Sequence, residues 1–575
     1  MRAWFGNSAV RRIIFGITAA VLGFIALGSW AISSPVGSSP DDDYHLVSIW
    51  CGIGEREGVC ETPPGAEPGG DTRLVPRTLF IDAVCYSYKP AVSAACIGDL
   101  DGARLTETAR GNFVGDYPPI YYGVMSLFVG EHVEASVLAM RFFNAALFVT
   151  FLSVLTWLTP ASRRVAVVLP VVATVVPLGM FVIASVNPSS WALLSAATLW
   201  ISLYNFFEAT GRRRWVFAGL AMLALLVGAG ARADAAAYAG LAIVGVLILQ
   251  ARRTKTFALA AILPLIFIVI AIVFYRSSGQ SSAASGGSAP FRTANSLENS
   301  SKRSSRCPIS GRACWGRWGL GWLDTAMPPL VWVSALSVFA AVIFFGLSRS
   351  GVRKYLAAGL MFAALWGGVP TFLQAQSHAP VGNYIQPRYI LPIAVLLVGF
   401  ALIATRSPLD FSPAQIVVIV LALTAANGLA LHSNIRRYVT GLDSAGVNLS
   451  YGVEWWWGSR IDPRWSPGWS VRSRSEVASL CSGTLHFAFP KRRSAHSTLA
   501  RPPSSDCGGP TASPHRDRLN RADPAVIGRA GLRRTIMLLG ACTKGMSIET
   551  VPPSPPRTRC GRSPRPSCCS PSAPC

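Results

Sequence analysis

Long runs of Val, Leu, Ala, Ile and Phe, with no regular alternation of apolar and polar positions, dominate the chain as far as residue 433. A helix that crosses a bilayer needs about twenty mostly apolar residues, because its closed hydrogen-bond ladder must satisfy the backbone where no water can. Eleven segments meet that need, at approximately 12–32, 137–158, 164–185, 187–207, 215–231, 235–250, 256–275, 326–347, 354–373, 388–405 and 413–433. They predict an all-α integral membrane protein with about eleven transmembrane helices and a large first outer loop. The run 119–130 is also apolar but too short to span, and predicts an interfacial or re-entrant helix.

Loop charges give these spans a direction, since Lys and Arg are retained on the cytoplasmic side. Arg2, Arg11 and Arg12 precede the first span and put the N-terminus inside. Counting forward, the cytoplasmic loops hold Arg163–Arg164, Arg212–Arg214, Arg252–Lys255, Arg349–Lys354 and Arg406, and every one is basic. The short segments 215–231 and 235–250 could be one long helix. However, the basic clusters on either side of them must share a face, which requires a hairpin turning at Arg232–Asp234. The first span has features of a secretory signal, with Ser29-Trp30-Ala31 near its end, but its apolar run is longer than a signal core and favours a retained anchor.

Composition agrees with membrane residence. Hydrophobic residues make up 51% of the 575 and charged residues only 14%, too few to solvate a soluble domain of this size. The net charge of +24 changes the picture less than its size suggests, because it is unevenly spread. From Arg460 to Cys575 nineteen Lys/Arg face six Asp/Glu, so more than half the excess lies in one tail. Residues 1–458 therefore form the polytopic membrane domain, with outer loops at 33–136 and 276–325. Residues 459–575 form an Arg/Ser/Pro/Cys-rich tail. A similar Ser/Arg-rich stretch, with Cys307 and Cys314, occupies residues 280–317. Both have the composition of disordered segments. Both also fit out-of-frame reading of a GC-rich gene, over 296–317 and 459–575; for the tail topology supports this, since eleven spans leave it outside against the positive-inside preference.

Candidate chemistry gathers on the outer side. The first loop holds Cys51, Cys60, Cys85 and Cys96, an even number in an oxidising compartment. Two disulfides, most simply Cys51–Cys60 and Cys85–Cys96, are favoured. Zinc is the rival, though it would usually bring the tighter Cys-x-x-Cys pairs that are absent here. Pro40-Asp41-Asp42-Asp43-Tyr44-His45 follows the first span. Three adjacent carboxylates repel one another, which raises a pKa or invites a divalent cation; the plain alternative is an acidic helix cap. Arg141 and Asn144, Asn187-Pro188-Ser189-Ser190, Arg232 and Asp234, Asp324, and Gln386-Pro387-Arg388-Tyr389 fall on the same face. Each alone suits an interfacial anchor or a snorkelling arginine. Together they suit a shared site, in which arginines hold a phosphate and carboxylates take a proton from a hydroxyl.

Several of these segments carry a family resemblance. Asp41-Asp42-Asp43-Tyr44-His45-Leu46 with Cys51, Tyr117-Pro118-Pro119-Ile120-Tyr121-Tyr122, Asn187–Ser190, Trp322-Leu323-Asp324-Thr325-Ala326-Met327-Pro328 and Gln386–Tyr389 resemble the domain of unknown function 2142 family. These are bacterial membrane proteins, and the chain looks like an actinobacterial member over about residues 10–458. It departs after Trp455-Trp456-Trp457-Gly458, where another hydrophobic span is expected. The family is similar in layout to the C-type glycosyltransferases, which use sugars carried on polyprenyl phosphate and keep a carboxylate in the first outer loop. That resemblance implies Asp41 and Asp42 as catalytic base or metal-binding acid. It implies His45, Arg232, Asp234 and Arg388 around the substrate, with Arg232 or Arg388 on the donor phosphate. A divalent metal stays open as cofactor. The implied partners are the bilayer and a polyprenyl-phosphate-linked sugar, in a bacterial cell membrane. A transporter or flippase of envelope precursors, or an assembly protein, is the alternative. No phosphate-binding Gly-x-x-x-x-Gly-Lys loop, dinucleotide fingerprint or His-Glu-x-x-His helix occurs, which disfavours cytosolic nucleotide-driven chemistry. A nucleic-acid partner is not expected.

Overall fold

The computed structural model describes residues 8–66, 70–102, 104–279, 319–348, 351–372, 386–403, 411–444 and 446–457. Every described residue belongs to one compact unit within Met1–Arg493. The segments 296–317 and 459–575, and with them Cys307, Cys314 and the proposed change of frame, lie outside the described residues.

Helices follow the apolar runs. They are α1 (Ser8–Ile32), α2 (Asp42–Trp50), α3 (Pro119–Ser126), α4 (Val133–Leu158), α5 (Val165–Thr174), α6 (Leu178–Ile183) and α7 (Ser189–Glu208). After them come α8 (Gly211–Ala229), α9 (Ala233–Gln250), α10 (Lys255–Ser277), α11 (Pro329–Leu347), α12 (Val352–Ala363), α13 (Leu391–Leu402) and α14 (Pro413–Val439). Seven described helices are long and apolar enough to cross a membrane: α1, α4, α9, α10, α11, α14, and α12 with its continuation to Phe372. The other four expected spans take different forms. The 164–185 run breaks into α5 and α6 around Val175–Pro177, and α7 is rich in Ser and aromatic residues. Three arginines fall in the first turn of α8, and α13 has only 12 residues.

Burial explains why helices of such different length coexist. All 12 residues of α13 are buried, as are 18 of the 20 in α7, so protein rather than lipid covers them. The outer helices turn apolar side chains outward: Leu259 is 69% exposed, Val269 60% and Val418 64%. In water such a surface would aggregate, whereas lipid solvates it.

The expected hairpin is present as α8 and α9. At one end Glu208 pairs with Arg163 (3.0 Å) and Arg252 (3.3 Å), joining three of the basic-loop segments. At the other end the turn meets α3, where the Tyr121 amide donates to the Gly230 carbonyl (3.2 Å).

The long loop between α1 and α4 corrects the all-α expectation. It contains an antiparallel two-stranded sheet, β1 (Arg73–Pro76) against β2 (Leu105–Thr108), paired Arg73↔Thr108 through Pro76↔Leu105. This segment has no helical apolar period, and pairing satisfies its backbone instead. Disulfides Cys51–Cys60 and Cys85–Cys96 close the two loops that the cysteine spacing suggested. Gly37 adopts φ 79° where a side chain would run into the Ala83 carbonyl, so the chain after α1 can turn closely over this loop.

Buried arginines bind the loop to the helices. Arg141 of α4, fully buried, donates to the carbonyls of Ala31 (2.9 Å), Ser34 and Pro35 (2.6 Å) and to Ser38 Oγ (3.1 Å). Arg437 of α14 donates to the carbonyls of Tyr86 (2.9 Å), Lys89 (3.1 Å) and Val92 (2.6 Å), and pairs with Asp324 (2.7 Å). Removing one member of a buried ion pair strands the other. Arg437→Met is expected to cost about 3–5 kcal/mol and to open residues 86–92 to hydrogen exchange ahead of the rest of the loop. Unchanged protection of that segment would show that the pair does not hold it.

Candidate functional site

Asp41 enters α2 in a left-handed conformation, φ 63° and ψ 20°. Two carbonyl-binding groups fix the approach. The Pro40 carbonyl accepts from Asn187 Nδ2 (3.1 Å), in the turn between α6 and α7, and from Arg388 Nη1 (3.1 Å), just before α13. Asn187 Nδ2 also donates to Ser39 Oγ (3.0 Å), and Asn187 Oδ1 accepts the Ser189 amide (3.0 Å). Two segments picked out in the sequence therefore converge on one peptide. Pro387 and the 3-10 turn Pro387–Tyr389 hold Arg388 at the mouth of α13, 3% exposed.

The three consecutive carboxylates part company here. Asp41 pairs with Arg388 through its Nη2 and with Arg110 at 3.5 Å. Asp43 takes Arg110 at 2.7 Å. Asp42 folds back into the protein, where Oδ2 accepts the Ser39 amide (3.0 Å) and Oδ1 has no partner. Among the described residues no group of three or more His, Cys, Asp or Glu is placed to hold a metal ion. The carboxylates do not fit the divalent cation that their spacing suggested, because arginines and a backbone amide already engage them.

Around Asp41 runs a stack of cations and rings. Arg232 lies between the rings of Tyr117 (5.6 Å) and Tyr389 (4.9 Å), and its guanidinium forks onto Asp234 with two 2.8 Å bonds. Arg388 lies 5.2 Å from the Tyr389 ring centre, and Arg110 5.6 Å from that of Tyr44. His45, one turn after Asp41, is fully buried; its Nδ1 bonds the Tyr122 hydroxyl (3.0 Å) and its Nε2 is unpartnered. Arg232 Nη1 and Arg388 Nε are also buried without partners.

Electrostatics separates the acids. Burial opposes ionisation of Asp41, but Arg388, by charge and hydrogen bond, and Arg110 more than offset it and hold the carboxyl below its usual range. Burial dominates at Asp42, which is pushed up to about 8 despite Arg141 and the Ser39 amide. His45 is driven well below its usual value by burial and by the charges of Arg388, Arg232 and Arg110, with Asp41 opposing, so the ring is neutral at pH 7. Burial pushes the Tyr117 phenol up to about 12.

Of the sequence candidates, Asp41, His45, Arg232 and Arg388 come together, and Asp234 serves as the anchor of Arg232. Asp42 is turned away and acts in the fold. Arg141, Asn144 and Asp324 are also structural: Asn144 donates to the Ser185 carbonyl (2.9 Å) and accepts from Trp191 Nε1 (2.9 Å). The cysteines are covalent staples. Arg110 was missed, and nothing in the sequence separates it from the other arginines of its loop.

A buried polar cluster at the loop end of an apolar helix bundle defines the class, a multi-pass membrane protein. The chain belongs to the family described as "Predicted membrane protein (DUF2142)", whose model matches residues 24–397. No curated protein and no solved structure matches it.

The raised Asp42 pKa sets a sign for stability. The protonated acid is the form the fold accepts, so its contribution is complete below the unfolded value of 3.8 and is lost as pH rises to about 8. Melting curves of the purified protein should fall across that window, and Asp42→Asn should flatten the slope. An equal slope in the variant would contradict a protonated Asp42.

Proposed function

We propose that the protein is a cell-envelope glycosyltransferase, acting on a sugar linked to polyprenyl phosphate, with Asp41 as the base. The carrying observation is the placement of Asp41. Its carboxyl is held below its usual range, its side chain is 33% exposed, and it pairs with Arg388, which shares the Tyr389 ring with Arg232. Two guanidiniums on one tyrosine ring, next to a partly exposed carboxylate, make a cationic site that suits an anionic ligand. In the proposed step the acceptor hydroxyl gives its proton to Asp41 as its oxygen bonds the sugar C1. The C1–O bond to phosphate breaks, and the lipid phosphate leaves with the electron pair, stabilised by Arg388 and Arg232. Asp41 is a weak base while Arg388 holds it. A phosphate competing for that guanidinium would strengthen it.

The architecture that goes with this proposal has about eleven spans, in which α5–α6, α7 and α13 cross under cover of the outer helices and α8 crosses with one face outward. Its N-terminus is cytoplasmic, and the Asp41 end lies outside, as the basic loops favour. One observation supports a second reading, a transporter or flippase. The broken α5–α6 pair and α13, about 18 Å long at 1.5 Å per residue, are the half-length helices that line substrate paths in carriers.

A deletion strain complemented with the wild-type gene or with Asp41→Asn separates the two. Transfer predicts that a surface glycan is lost, returns with the wild-type gene, and falls about 10²–10⁴-fold with Asp41→Asn. A carrier predicts precursor accumulating on the inner face. Normal glycans in all three strains would contradict the transferase.

A further inference from the structure

Three non-glycine residues among those described have positive φ: Asp41 (63°), Tyr88 (59°) and Leu323 (62°). Left-handed backbone is unfavourable for L-residues, and bulky ones adopt it where surrounding structure enforces it. These three are not scattered. Leu323 follows Trp322, whose ring meets that of Tyr88 at 5.3 Å and 62°. Trp322 Nε1 donates to the Gly37 carbonyl (2.9 Å), in the turn that leads into Asp41. Burial and the charges of Asp41 and Asp43 raise the Tyr88 phenol, with Arg110 and Arg388 opposing, so it lies within the electrostatic reach of the candidate base.

The two aromatic residues are held unusually firmly for a surface feature. The Cys85–Cys96 bridge closes the loop that carries Tyr88. Arg437 grips that loop by the Tyr86, Lys89 and Val92 carbonyls while pairing with Asp324, two residues beyond Trp322. One buried guanidinium thus fixes Tyr88 and Trp322 relative to each other. Trp322 is 6% exposed and forms the backing, yet Tyr88 remains 68% exposed. A ring whose role was packing would bury its face, and a strained, clamped and exposed one is arranged for something else.

We propose that Tyr88, backed by Trp322, is the stacking platform for a sugar ring presented to Asp41, that is, the acceptor subsite of the transfer reaction on which this inference rests. A sugar ring has one face of C–H bonds that lies against a π surface, and a rim of hydroxyls. Aromatic faces with a few placed polar groups are the usual makeup of such subsites. Here Asp41 and Asp43 can accept rim hydroxyls and Arg110 can donate to them.

Saturation-transfer NMR on the purified full chain in lipid nanodiscs tests this without turnover, with methyl hexosides and methyl pentosides as probes. Ring protons of at least one sugar should be saturated in the wild type and in Tyr88→Phe, and should lose about tenfold in Tyr88→Gly. Tyr88→Gly should also melt at a higher temperature than the wild type, because glycine relieves the left-handed backbone. Loss of binding with gain of stability is a signature that a structural role for the ring would not produce. Equal saturation in Tyr88→Gly overturns the platform, as does saturation of lipid acyl protons with none on any sugar. Sugar binding without transfer would remove the catalytic role of Asp41 and leave the platform. Transfer that is indifferent to Tyr88→Gly would do the reverse.

Discussion

One guanidinium holds the Pro40 carbonyl and the Asp41 carboxylate together, and the loop end of the molecule is arranged around that hold. Arg388 reaches them from the start of α13, a helix with no lipid-facing side. A charge so placed is expensive unless its partners are fixed. The chain fixes them twice over, with Asn187 on the same carbonyl and Arg141 on the turn before it. The result is a carboxylate in strained backbone whose position depends on α4, α7 and α13 at once.

Arginine performs two different tasks in this fold. Arg141 and Arg437 spend their donors largely on backbone carbonyls and tie irregular loop to regular helix, as a polar loop with little apolar core requires. Arg232 and Arg388 give most of their donors to side chains, the carboxylates of Asp234 and Asp41, and share the Tyr389 ring. All four are buried and each leaves one guanidinium nitrogen without a partner, so what separates the two pairs is the share of donors given to backbone carbonyls.

Much of the helical layout was legible because hydrocarbon imposes a simple rule, and α1, α4, α10, α11 and α14 coincide with plain apolar runs. The hairpin at Arg232 was legible from charge alone. Pattern could not show that 164–185 breaks at Val175–Pro177 or that α13 is short, because a helix covered by protein escapes the length rule. Sequence spacing found Asn187 and Gln386–Tyr389 but treated Asp41, Asp42 and Asp43 as one cluster. Their separation comes from the left-handed turn at Asp41, which sends neighbouring side chains to different surroundings. The β1–β2 ribbon was too short to register, and Tyr88 became visible only through the backbone angle that its clamped loop imposes.

The central claim is that Arg388 positions Asp41, and a double-mutant cycle on the purified protein measures it most directly. Thermal stability at pH 7 would be compared for wild type, Asp41→Asn, Arg388→Met and the double variant. The account predicts that Arg388→Met is the costlier single change, because it also frees the Pro40 carbonyl, and that the double variant is little worse than Arg388→Met alone. Strict additivity of the two changes would contradict it.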